Sequence, residues 1–93
     1  MKYKRVPSSK FKKAIRKLEK QHKDLTELQK VISMLANDEQ LSPKYRDHKL
    51  QGNLSNFREC HIEGDWVLIY EKVHSELILY LYDTGSHSEA LKM

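Results

Sequence analysis

The sequence predicts an α+β domain in which two helices lie on one face of a small, mostly antiparallel four-stranded sheet. Three observations carry the prediction. Apolar residues recur at helical spacing in the first 36 residues, runs of strand-forming residues begin at Phe57, and a polar stretch separates the two regimes. The expected order is strand, helix, helix, strand, strand, strand and a short helical turn.

Tyr3 to Val6 reads as an opening strand that Pro7 stops. Ser8 and Ser9 are N-cap residues for a first helix. Phe11, Ala14, Ile15 and Leu18 stand at i, i+3, i+4 and i+7, which is one helical face. Lys10, Lys12, Lys13, Arg16, Lys17, Lys20 and Lys23 cover the remainder. Asp24 caps a second helix with its stripe at Leu25, Leu28, Val31, Ile32 and Leu35, and the short link predicts an antiparallel helix pair.

Residues 37–56 contain Pro43, Gly52 and three asparagines and read as a chain of turns. A connection of that length in a small domain is usually functional. Phe57–Glu63, Trp66–Val73 and Glu76–Tyr82 then read as strands rich in aliphatic and aromatic residues. Gly64-Asp65 and His74-Ser75 are links short enough for an antiparallel meander. Thr84-Gly85-Ser86 is expected to break the last strand, with Ser86 capping a helical turn through Leu91. Alternation puts Glu59 and His61 on the sheet face away from the helices and Cys60 and Ile62 on the helix side. Leu77, Leu79 and Leu81 are expected in the core, with Tyr80 and Tyr82 on the opposite, solvated face.

Ninety-three residues make one domain, residues 1–93, with a single modest core. No apolar run is long enough to span a membrane, and the N-terminus has no apolar signal region. The lone cysteine, Cys60, fits a reducing cytoplasm. The net charge of +4 is unevenly spread: residues 1–23 hold ten Lys or Arg against one acid, Glu19. A basic N-terminal third is an electrostatic footprint for a polyanion such as nucleic acid, or a solvated helix face.

The second half carries the chemistry. His48, His61, Asp65 and His87 supply acid–base capacity, and Lys49, Arg46 and Arg58 supply positive charge. Neither C-x-x-C nor H-E-x-x-H spacing is present, so no metal site is expected. No Gly-rich phosphate loop and no nucleophile triad appear. The residue types suit metal-free RNA cleavage, in which a base takes the 2′-hydroxyl proton, an acid protonates the departing 5′-oxygen and cations steady the phosphorane. Trp66 and the tyrosines offer faces for unpaired bases. His22 and His74 fall in predicted turns and read as surface residues.

Four blocks in order, Arg46-Asp47-His48-Lys49-Leu50-Gln51-Gly52, Arg58-Glu59-Cys60-His61-Ile62, Asp65-Trp66-Val67-Leu68-Ile69-Tyr70 and Thr84-Gly85-Ser86-His87-Ser88, closely resemble the YafQ branch of the RelE-type toxins. The resemblance covers most of the chain. It implies the RelE/ParE-like fold and the toxin role in a type II toxin–antitoxin module. The implied activity is ribosome-dependent cleavage of mRNA in the A site, in the cytoplasm, with no metal or cofactor. A cognate antitoxin would be the silencing partner. By position, His48, His61, Asp65 and His87 match the family's catalytic residues, with His87 as general acid and the other three sharing proton removal and phosphorane stabilisation. Lys49, Arg46, Arg58, Trp66 and Leu91 would bind RNA. Lys10, Lys12, Lys13, Arg16, Lys17 and Lys20 of the first helix would dock on ribosomal RNA.

The chain departs from the family pattern at two positions. Leu91 stands where the family usually has an aromatic residue, and Asp83 where relatives commonly carry a basic one. A carboxylate near the scissile phosphate is repulsive unless paired. Two other readings share the scaffold: a gyrase-type inhibitor acting on a protein, and a non-catalytic nucleic-acid-binding or interaction domain.

Overall fold

The structure is a computed structural model that describes residues 2–90, the side chains of Glu89 and Ala90 excepted. The elements are β1 (Lys4–Pro7), α1 (Ser9–Lys20), α2 (Thr26–Ala36), β2 (His48–Lys49), β3 (Arg58–Glu63), β4 (Trp66–Val73), β5 (Ile78–Ser86) and α3 (His87–Ala90), with single 3₁₀ turns at Pro43–Tyr45 and Gly52–Leu54. Leu91, which the sequence placed in the last helical turn and at the RNA, lies outside the described residues.

Local chemistry explains the helix boundaries. The Ser8 hydroxyl accepts from the Phe11 N–H at 2.9 Å, satisfying one of the donors at the start of α1. Asp24 takes the Thr26 N–H at 2.9 Å, but the N-cap position of α2 is Leu25, so the aspartate acts one residue before the helix cap. That hydrogen bond holds the Asp24 carboxyl below its ordinary value.

The sheet has five strands in the order β1-β5-β4-β3-β2, where four were expected. The additional strand is β2, two residues inside the polar connection, paired antiparallel through His48↔Glu59 and Lys49↔Arg58. Two residues have no readable period, so alternation could not reveal it. The pairings β2·β3, β3·β4 and β4·β5 are antiparallel, whereas β1 runs parallel to β5 through Lys4↔Ile78 to Pro7↔Leu81. The sheet is therefore mixed.

β5 runs through Thr84-Gly85-Ser86 rather than breaking there. A bulge makes this possible: Ile69 pairs with Asp83 and Tyr70 with Leu81, leaving Tyr82 as the extra residue. The bulge resets the alternation, so Leu79, Leu81, Asp83 and Thr84 are all buried. Leu77 does not join them. It has φ 52° in the turn before β5 and is 40% exposed. The turn takes the left-handed position and the leucine goes to solvent with it.

The main core lies between helices and sheet, with Phe11 of α1, Leu28, Val31, Ile32 and Leu35 of α2, and Cys60, Ile62, Leu68, Tyr70, Leu79 and Leu81 of the strands. Burial pushes the Cys60 thiol above its ordinary range. The opposite face of the sheet is not fully solvated. Val67 and Ile69 are buried there under Leu50, Phe57 and Tyr82. The connection 37–56 supplies part of that cover, which is why β4 is buried on both sides from Trp66 to Tyr70.

Candidate active site

His61 and Glu59 share the face of β3 away from the helices, as alternation requires. β2 lays His48 directly beside Glu59. β5 ends at Ser86 and delivers His87 at the first position of α3, where its N–H donates to the Asp65 carbonyl at 2.6 Å. That bond ties the end of β5 to the β3–β4 turn, in which Gly64 has φ 52°.

The three imidazoles converge on one carboxylate. Glu59 Oε1 is 3.2 Å from His48 Nε2 and 3.7 Å from His61 Nε2, and Oε2 is 3.1 Å from His87 Nδ1. Each contact is an ion pair when the ring is protonated. The rings stand in a row: His48 and His61 are 6.3 Å apart between centroids, and His61 and His87 also 6.3 Å, with an interplanar angle of 21°. Glu59 is 1% exposed beneath them. Its Oε2 has no aligned hydrogen bond, so the approach of His87 is a charge contact rather than a directed bond. A buried carboxylate with an unbonded oxygen is costly unless polar or charged groups face it, and three imidazoles surround this one. Among the described residues, no group of three or more His, Cys, Asp or Glu side chains is arranged to hold a metal ion.

One ring nitrogen of His48 is oriented by the backbone. Its Nδ1 lies 2.7 Å from the Arg46 carbonyl, which can only accept, so Nδ1 carries the proton and Nε2 faces Glu59. Arg46, at φ 48°, turns the chain after the 3₁₀ turn to aim that carbonyl.

Other residues singled out in the sequence fall in varied places. Asp65 is exposed at the turn, and its carbonyl accepts the His87 N–H that joins the turn to the cluster. Lys49 and Arg46 are exposed beside His48. Arg58 is engaged elsewhere: its Nε and Nη2 donate to Asp47 at 3.2 and 3.3 Å, and the Tyr70 hydroxyl donates to the same carboxylate at 2.6 Å. Trp66 is 4% exposed; its Nε1 donates to the Thr84 hydroxyl at 2.9 Å, which donates onward to the Val67 carbonyl at 2.8 Å. Its indole face is covered by protein, with the Lys23 ammonium 5.1 Å from the ring centroid.

Asp83 is buried and paired. It accepts from the Thr84 N–H at 2.8 Å and faces the Lys10 ammonium at 3.5 Å, so its charge is compensated. Lys10 thus contacts the domain through Asp83, and Lys12, Lys13, Arg16, Lys17 and Lys20 are, like it, exposed along α1. His22 and His74 are exposed, as expected.

Glu59 is the residue that sequence reasoning left out of the catalytic set. Its signal was present: an acid two residues before His61 on a strand must share its face. What the sequence did not display was the pairing with β2 that buries it.

Residues 3–92 match the family model described as "Bacterial toxin of type II toxin-antitoxin system, YafQ". The chain is 34% identical over 82 residues, 87% of each protein, to the mRNA interferase toxin YafQ of Escherichia coli K12. It superimposes on a metal-bound toxin from Helicobacter pylori with a TM-score of 0.87 and 44% identity, covering 94% of this chain and 97% of that one. The toxin in the E. coli DinJ–YafQ toxin–antitoxin complex gives a TM-score of 0.86 at 30% identity, over 98% and 99% of the two chains.

Proposed function

Because this chain belongs to the YafQ family of bacterial toxins of type II toxin–antitoxin systems and is an mRNA interferase, we propose that its three-histidine cluster on Glu59 cleaves mRNA by metal-free acid–base chemistry. The observation that carries this reading is the convergence of His48, His61 and His87 on one buried carboxylate at 3.1–3.7 Å.

Each requirement of the reaction has a candidate group. The 2′-oxygen attacks the neighbouring phosphorus and gives its proton to a base. The P–O5′ bond breaks, and the 5′-oxygen takes a proton from an acid. His87 is the acid: Glu59 holds its Nδ1 side, which leaves Nε2 to face the leaving oxygen. His48 and His61 share proton removal and stabilise the phosphorane, with exposed Lys49 and Arg46 adding positive charge. Asp65 fixes the backbone of His87 through its carbonyl, and its side chain is exposed at the turn. Arg58 and Trp66 act through the scaffold, the first by anchoring Asp47 and the second by holding β5 against β4.

The substrate is mRNA in the ribosomal A site, in the cytoplasm, and the exposed cations of α1 dock on ribosomal RNA. No helix among the described residues is long and apolar enough to cross a membrane. An antitoxin protein is the expected partner, as E. coli YafQ has in its complex with DinJ.

The test is to map 5′ ends on translated messages after expression of the chain and of His87→Ala. In-frame cuts that need translation, persist in chelator and vanish in the variant are expected. Equal toxicity of both forms with intact messages would sink the reading.

A further inference from the structure

The sheet face that carries the histidines continues into a cluster of three aromatic rings. Phe57, the residue before β3 and two before Glu59, packs on the same face against Val67 and Ile69, about 7 Å along the chain from Glu59. Tyr82 is the extra residue of the β5 bulge and packs over Val67 and Ile69 together with Phe57. Phe57 and Tyr82 are stacked with centroids 4.6 Å apart, and Tyr80 stands 6.3 Å from Phe57 and 6.4 Å from Tyr82. The three interplanar angles are 27°, 35° and 38°, so the rings share an orientation instead of meeting edge to face. All three are half-buried, and Phe57 and Tyr82 cover Val67 and Ile69 below them.

Cover alone does not require aromatic rings. Leu50 covers the same pair of residues with an aliphatic side chain. Positive charge adjoins the rings: exposed Lys49 precedes Leu50, and Lys10, paired with Asp83 at 3.5 Å, holds its ammonium 5.0 Å from the Tyr82 ring centroid. Aligned aromatic faces beside positive charge match the flat bases and phosphates of single-stranded nucleic acid.

We propose that Phe57, Tyr80 and Tyr82 form a stacking platform for one unpaired base of the message, next to the nucleotide cut at the histidine cluster. The inference rests on mRNA being the substrate. It assigns these rings to substrate binding and leaves the proton transfers to the histidines.

The test uses ribosomes programmed with a short message and the intact toxin. Tyr80→Leu and Tyr82→Leu keep an apolar side chain and remove the rings, while Tyr80→Phe and Tyr82→Phe keep the rings. Base stacking on an aromatic side chain makes the expected rise in KM roughly tenfold for each leucine variant. The change in kcat is expected to stay within about twofold, and the phenylalanine variants to behave as wild type. A second arm needs no variant: abasic nucleotides are placed in turn along the A-site codon and its neighbours. One position is expected to raise the wild-type KM by the same factor and to add nothing in Tyr82→Leu. Wild-type KM in the leucine variants, or the absence of any sensitive abasic position, overturns the platform while cutting by the wild type upholds the nuclease reading. Leucine variants that lose antitoxin binding at unchanged KM overturn it too, in favour of a protein partner. An intact message with the wild-type toxin overturns the nuclease reading itself.

Discussion

His87 Nδ1 lies 3.1 Å from Glu59 Oε2, on a carboxylate that is 1% exposed. The contact couples the most exposed ring of the cluster to its most buried charge. It sets the carboxylate against the Nδ1 side of His87 and so biases which ring nitrogen faces outward. Replacing Glu59 by Gln keeps the shape and removes the charge. We expect kcat on programmed ribosomes to fall by about 10²-fold or more with KM little changed. A Glu59→Gln enzyme of wild-type kcat would show that the carboxylate is only structural.

The clamp on Asp47 has a different role. Its three hydrogen bonds from Arg58 and Tyr70 pin the residue before His48, and β2 is too short to hold itself. Part of this clamp is solvent-exposed, which limits its worth. Asp47→Ala is expected to cost roughly 2 kcal/mol, a fall in Tm of about 10 °C. Calorimetry on the isolated toxin measures it, and an unchanged Tm would remove the clamp from the account.

Trp66 was read in the sequence as a face for a base, and the structure buries it. Trp66→Phe keeps an apolar ring and loses the bond to Thr84. The expected cost is about 1 kcal/mol of stability, with KM for the message unchanged. A raised KM at full stability would restore the tryptophan to the RNA.

Alkaline pH probes a bond far from the site. The Tyr45 hydroxyl donates to Glu27, and this bond, with burial, pushes the phenol up to about 12. A raised value favours the neutral phenol in the folded state. Its contribution is therefore complete below the ordinary value of about 10 and is lost as pH rises towards about 12. Urea unfolding across that interval is expected to show a smaller loss in Tyr45→Phe than in wild type. Equal losses would mean that Tyr45 does not titrate with unfolding.

The elements with a long period were readable. α1, α2, β3 and β4 stand close to where helical spacing or strand-forming runs put them, and the face holding Glu59 and His61 followed from alternation. What escaped were features set by pairing between distant segments. β2 is two residues long, the bulge at Tyr82 depends on β4, and Leu77 leaves the core because a turn claims its backbone. The site shows the same division. His48, His61 and His87 were visible as residue types, but their meeting on Glu59 needed a strand with no sequence period.

The first helix offers a separate test by salt. Replacing exposed Lys12, Lys13, Arg16 and Lys20 by Gln is expected to weaken ribosome binding and flatten its salt dependence by up to about 3 units of log K per log[salt]. Unchanged slopes would leave these four cations as a solvated face.

The most direct measurement asks whether His87 gives the proton to the leaving oxygen. A message with sulfur in place of the 5′-bridging oxygen at the cut site leaves as a thiolate and needs no acid. On the ordinary message His87→Ala is expected to cleave about 10²–10⁴-fold more slowly than wild type in a single turnover. On the sulfur message the two rates are expected to converge. A variant that stays as slow on sulfur as on oxygen would contradict His87 as the general acid.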